Sequence, residues 1–313
     1  KDIDNIIFGH IKDSQFFYDK GFLNSATKSL VTAKGLAQKY EKTGALLEIL
    51  RIEMKLRMEQ GTTGLLETIE RLTNERGKVM DMIEEEEEAM IRYDSAFAKF
   101  RVHGHFDEAT LVLFDEKDVL RGPFWSIFYR LNTNAVFSLM NKDLGGAILH
   151  YEMMISQFEE NDVIRIEKIN IYKKLLGNLA TMYTAKGYYE KGSQVVKKVE
   201  KLPNQSFNDD AETFQAVALI KLIRALNQPE SGEVEEVIQY VEEGLETFGV
   251  KINPARKLSL WFNLFILCFL NGRFDRAVIW KETILLNKKL KVKEEDLYGA
   301  RLLELVWEYA MEE

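Results

Sequence analysis

The chain has 313 residues, 46% hydrophobic and 29% charged, with 42 Lys and Arg against 50 Asp and Glu for a formal net charge of −8. That balance excludes nucleic acid as the expected partner, because phosphate binding concentrates Lys and Arg. The single cysteine, Cys268, excludes an intramolecular disulfide framework and a Cys-rich zinc site, and only four prolines favour long uninterrupted helices.

In chain order, apolar spacing of i, i+3, i+4 and i+7 predicts a succession of helical hairpins. The first pairs residues 2–19 with 22–41 around Gly21, with Ala26, Leu30 and Ala33 on its second helix. The second pairs 43–60 with 64–79 around Gly61 to Gly64. The third starts with a helix carrying Ile83, Met90, Ala96 and Phe100, turns at Gly104, restarts at Phe106, Ala109 and Leu113, and ends near Gly122 and Pro123. The fourth runs from Phe124 to Met140, turns near Asp143 and continues through Ala147, Tyr151 and Met154.

The fifth hairpin, residues 171–203, is the clearest. Leu176, Leu179, Ala180 and Tyr183 line one face of its first helix; Tyr189, Gly192, Val196 and Val199 do so on the second. Gly187 lies between them and Pro203 after them. Ala180 and Gly192 are expected to let the two helices approach closely. The sixth pairs 210–227 with 232–248 across a breaker at Asn227 to Gly232, and the seventh turns at Gly272 before Phe274 and Ala277. The apolar run Leu258 to Leu270 is too short for the ~20 residues of a membrane span and reads as a buried helix that holds Cys268. A last helix, residues 294–313, has apolar residues on more than one face, from which the expectation is that the chain is a fragment of a longer protein with further repeats, or that this end docks on another subunit.

Residues Leu176, Leu179, Ala180, Tyr183, Gly192, Val196 and Pro203 resemble the signature of a tetratricopeptide repeat. The turns at Gly21, Gly61, Gly104, Asp143, Gly187, Gly232 and Gly272 are 40, 43, 39, 44, 45 and 40 residues apart, a period of about 42 that is longer than the ~34 of that repeat and falls in the ~40–47 range of HEAT and armadillo arrays. The Gly-x-aromatic pattern after residues 104, 187 and 272, followed three places later by Ala or Gly, favours the tetratricopeptide resemblance. It implies one domain, residues 1–313: an all-α, right-handed α-solenoid superhelix of about seven TPR-like hairpins plus a C-terminal helix. It also implies a scaffold that binds a protein or peptide partner in a concave groove; charge, run length and the lack of catalytic, phosphate-loop or zinc motifs add the expectation of a non-catalytic, cytoplasmic protein with no cofactor, metal, nucleic acid or membrane involved. The alternative is a ligand-sensing regulatory module whose effector domain lies outside these residues.

In such arrays the first helix of each hairpin lines the groove. Lys174 and Asn178 share a face there, resembling the Lys and Asn with which some family members hold a peptide carboxylate. Lys221 and Arg224 form a basic edge on the next first helix, Asn263 sits in the one after, and Asn132 in the one before. Tyr129 and Phe262 are the candidate apolar anchors. Glu84 to Glu88 are expected at a helix N-terminus, where exposed amides favour acids. The cluster His103, His105 and Asp107 falls on an expected turn and is read as solvated.

Overall fold

The computed structural model describes residues 2–103, 114–204, 206–229 and 232–287. Among them every regular element is an α-helix, and none is long and apolar enough to cross a membrane. The chain divides into two compact units, residues 1–172 and 173–313.

The first unit holds α1 (Ile3–Asp19), α2 (Leu23–Lys39), α3 (Thr43–Glu59), α4 (Leu65–His103), α5 (Glu116–Val119), α6 (Phe124–Met140), α7 (Leu144–Glu160) and α8 (Asp162–Glu167), and α9 (Ile169–Ala185) starts in it. The second continues α9 and adds α10 (Tyr189–Glu200), α11 (Phe207–Asn227), α12 (Val234–Phe248), α13 (Pro254–Leu270) and α14 (Phe274–Leu286). Within each unit, helices pack chiefly on their neighbours in the chain.

Repetition is plainest in the turns. Positive φ occurs at Gly21, Lys142, Gly187 and Gly272, each between two paired helices. At all four, the next residue's amide reaches back to the preceding helix: Phe22 to the Phe17 carbonyl, Asp143 to Ser138, Tyr188 to Tyr183 and Arg273 to Cys268, each at 2.8 Å. This is the bond pattern of a Schellman cap, which satisfies carbonyls left over at a helix end. The left-handed residue of the fourth hairpin is therefore Lys142, one place before the expected Asp143; Asp143 instead caps α7 by accepting from the Gly146 amide at 3.0 Å.

Five residues after each left-handed position comes a small, buried residue: Ala26, Ala147, Gly192 and Ala277. At Gly192 the reason is measurable. A Cβ there would lie 2.8 Å from the Thr184 hydroxyl and 3.3 Å from the Ala180 carbonyl, so α9 and α10 touch through the two small residues named from sequence.

The hairpin expected over 83–120 is not formed as such. Helix α4 runs unbroken for 39 residues, absorbing both the second helix of hairpin two and the first of hairpin three. Between Val79 and Ile83 there is no Gly, Pro or Asn to end a helix, and buried Leu72, Val79, Ala89 and Ala96 keep one helical face apolar throughout. Its first half packs with Ile49, Leu50 and Leu56 of α3; its second half meets Val136 and Met140 of α6. Glu84 to Glu88 consequently lie inside a helix and not at its start. Glu85 pairs with buried Arg130, which also donates to the carbonyls of Asp118 at 3.0 Å and Arg121 at 2.6 Å. Glu86 accepts from the Thr43 hydroxyl at 3.4 Å. The acidic run is thus partly structural.

The second unit has a more apolar interior. Phe214, Leu222, Ile238, Val241, Leu260, Leu264, Phe265 and Cys268 form one buried cluster drawn from α11, α12 and α13. Burial pushes the Cys268 thiol up to about 12, which makes it a small hydrophobe, as read from its apolar run. In the first unit, Phe124 is buried likewise. Turn residues Gly104, His105, Phe106, Asp107 and Ala109, and the terminal helix expected over 294–313, lie outside the described residues.

Candidate functional site

A solvent-open cleft of about 240 Å³ lies over α11, between α10 and α12. Its walls follow from helix geometry. Ser193, Val196, Lys197 and Glu200 stand at i, i+3, i+4 and i+7 on α10; Glu233, Glu236, Val237 and Tyr240 repeat that spacing at the start of α12 and along it. Each set makes one stripe along a helix face. Ile220, Lys221 and Arg224 of α11 lie between the two stripes.

The floor is apolar, because Val196, Ile220 and Val237 are all buried. Charge sits around it. Lys221 Nζ is 2.9 Å from Glu200 and 4.3 Å above the ring of Tyr240; Arg224 is 3.4 Å from Glu233. Burial, followed by the nearby Glu200 carboxylate, pushes the Tyr240 phenol up to about 12, so it is a neutral donor at any ordinary pH. Lys197 and Glu236 differ from these. They are exposed on opposite walls, and neither has an ion-pair partner among the described residues.

The sequence candidates are therefore divided. Lys221 and Arg224 come together in the cleft. Lys174 pairs instead with Glu212 of α11 at 3.2 Å, and Asn178 is exposed one turn further along α9. Glu212 and Lys221 are nine positions apart, about 180° around α11 at ~3.6 residues per turn, so the Lys174 face and the cleft are on opposite sides of that helix. Its neighbour Lys173 is the buried one, donating to the Pro203 carbonyl at 2.6 Å and to the Asn204 side chain. Burial lowers its pKa.

Asn263 donates to the Ser259 carbonyl at 2.7 Å, and Phe262 packs partly buried against the apolar cluster of its unit. In the first unit, Asn132 donates to the Phe128 carbonyl at 3.0 Å and is buried. Tyr129 lies 5.9 Å from Tyr93 and 5.4 Å from Phe128, ring to ring, with its pKa raised by burial first and by Glu86 next. Sequence reading missed Ser193, Lys197, Glu200, Glu233, Glu236 and Tyr240. Their signal was present, since the second helices of hairpins five and six each carry a stripe at i, i+3, i+4 and i+7 with polar members.

No protein-family model matches this chain, and no curated protein matches it.

Proposed function

We propose that this protein is a non-catalytic scaffold that binds a peptide segment of a partner protein, and that the cleft over α11 receives an apolar side chain of that segment. The right-handed superhelix and the tetratricopeptide kinship implied by residues 176–203 belong to the same reading. The observation that carries it is the cleft itself: a buried aliphatic floor between two charged stripes. Its 240 Å³ falls below the ~300–1,000 Å³ typical of small-molecule sites, which weighs against a metabolite sensor and suits one anchoring side chain. Lys197 on one wall and Glu236 on the other supply rim charges for an acidic and a basic flanking residue, as in helix-in-groove recognition.

Selection of a displayed random-peptide library on the whole chain tests this. Selected peptides should lose about tenfold or more in affinity for the Lys197→Glu, Glu236→Lys double variant, the scale of a lost hot-spot residue. Both positions are exposed, so the variant should melt like the wild type. A parallel Lys174→Ala, Asn178→Ala variant separates the cleft from the opposite face of α11. No enriched peptide, or indifference of every enriched peptide to the Lys197→Glu, Glu236→Lys variant, would refute the proposal.

A further inference from the structure

The first unit carries a second cleft, of about 220 Å³, lined on α2 by Thr27, Leu30, Val31, Lys34, Gly35 and Gln38, and on α3 by Glu53, Leu56 and Arg57. Its position within the repeat matches that of the cleft over α11. Counted from the left-handed glycines Gly21 and Gly187, Thr27 corresponds to Ser193, Leu30 to Val196, Val31 to Lys197 and Lys34 to Glu200. In both places the same four offsets on a second helix form a wall, and the following first helix forms the floor.

Three features say what this cleft accepts. Leu30 and Leu56 are buried beneath it, while Val31 stands 64% exposed at its edge, so an aliphatic group entering would cover exposed apolar surface. Lys34 is matched by two carboxylates, Glu53 and Glu75, each at 2.9 Å. Arg57 has no carboxylate partner among the described residues, only the Gln60 side-chain oxygen at 3.1 Å. With Lys34 already neutralised, Arg57 is the lining cation that an anionic group on an incoming segment can pair with.

Gly35 keeps the cleft open. It lies inside α2 with no positive φ, and a Cβ there would meet nothing within 4 Å, so neither backbone nor packing requires glycine. A helix-interior glycine without such a need is unfavourable relative to alanine. Gly9, Gly44 and Gly77 share that freedom but do not line this cleft.

We infer that the α2–α3 cleft is a second docking site, and that its occupant is a partner segment with a leucine-sized aliphatic side chain beside an Asp or Glu. The aliphatic group lies on Leu30, Leu56 and Gly35, and the carboxylate pairs with Arg57. This extends the peptide-binding reading but stands on its own residues.

The test uses the same displayed random-peptide library on the whole chain, with each selected peptide measured by fluorescence anisotropy. One class, enriched in an aliphatic residue next to an acid, should weaken about tenfold or more toward Gly35→Leu, which fills the cleft, and toward Arg57→Gln, which removes its charge. That class should bind the Lys197→Glu, Glu236→Lys variant as it binds wild type. Gly35→Ala serves as a folding control and should hold or raise the melting temperature. If every selected peptide keeps its affinity within about twofold for both Gly35→Leu and Arg57→Gln, the inference fails while binding at α11 stands. If the peptides lost to Gly35→Leu show no acid enrichment, the proposed occupant is wrong. If no peptide is selected, both sites fall together.

Discussion

Lys34 and Glu200 occupy the same position in two repeats, yet they carry opposite charge, and each is paired across to the next helix by a partner of the other sign. Lys34 meets Glu53 of α3; Glu200 meets Lys221 of α11. The resemblance stops at burial. In the first unit Lys34 and Glu53 have side-chain exposures of 16% and 17%, and Lys34 also holds Glu75 of α4; in the second, Glu200 and Lys221 are at 38% and 34%. One register has thus served two purposes. Around α2 the ion pairs staple three helices together, whereas around α11 the third helix, α12, is held mainly through apolar contact, and the pairs Glu200–Lys221 and Arg224–Glu233 are left at the more exposed rim.

The sharpest way to break that contrast is at the apolar crossing. A Cβ on Gly244 of α12 would lie 1.9 Å from Phe214 Cε2, and the ring of Phe214 is confined by Tyr240 at 5.6 Å and Phe248 at 5.5 Å. Gly244→Ala should cost about 3 kcal/mol, the upper end of the usual overpacking penalty, because a buried ring must move. Urea denaturation measures it. A loss below about 1 kcal/mol would mean that α12 can slide away from α11, and that the apolar crossing does not hold the wall of the cleft.

The charged staple is next in size. Lys34→Ala leaves Glu53 and Glu75 facing each other with, among the described residues, only Arg71 near both, and should cost about 2 kcal/mol, between the values for exposed and buried pairs. Lys221→Ala removes the equivalent pair where it is a third exposed, and should cost less than about 1 kcal/mol. Equal losses would dissolve the distinction between staple and rim.

Much of this architecture was legible from sequence, for a specific reason. A left-handed glycine with a small residue five places later marks a hairpin whatever surrounds it, so Gly21 with Ala26, Gly187 with Gly192 and Gly272 with Ala277 could be read directly. Lys142 could not, since a lysine with positive φ has no signature. The break expected near residue 80 came from the repeat period and not from any breaker residue, and α4 continues because nothing there stops it. At the candidate site, Lys221 and Arg224 were visible as a basic edge. Their companions on α10 and α12 were not chosen, because second helices were assigned to structure and first helices to binding. Periodicity on one helix locates a face; it does not say which neighbouring helix that face meets. Lys173 and Lys174 make the point at one-residue resolution, one buried against Pro203 and the other exposed beside Glu212.

A preference for charge over apolar contact also has a pH signature, and it gives the smallest of these effects. Glu86 of α4 sits partly buried beneath Thr43. Burial holds its pKa above the ordinary 4.5, against the hydrogen bond from Thr43, with Glu87 and Glu41 adding to the rise. The folded chain therefore keeps this proton to higher pH than the unfolded chain does. Relative stability from Glu86 is fully present below 4.5 and is lost as pH rises through the raised folded value, beyond which an ionised carboxylate is held in a poorly hydrated place. Glu86→Gln should raise the melting temperature at neutral pH, and that gain should shrink toward zero as the pH falls below 4.5, where the wild-type group is neutral in both states. A gain of equal size at both ends would trace to packing or helix propensity. A loss at neutral pH would mean that the Thr43 hydrogen bond to the carboxylate outweighs its burial, and that the charges on α4 help to hold the first unit together even where they are most crowded.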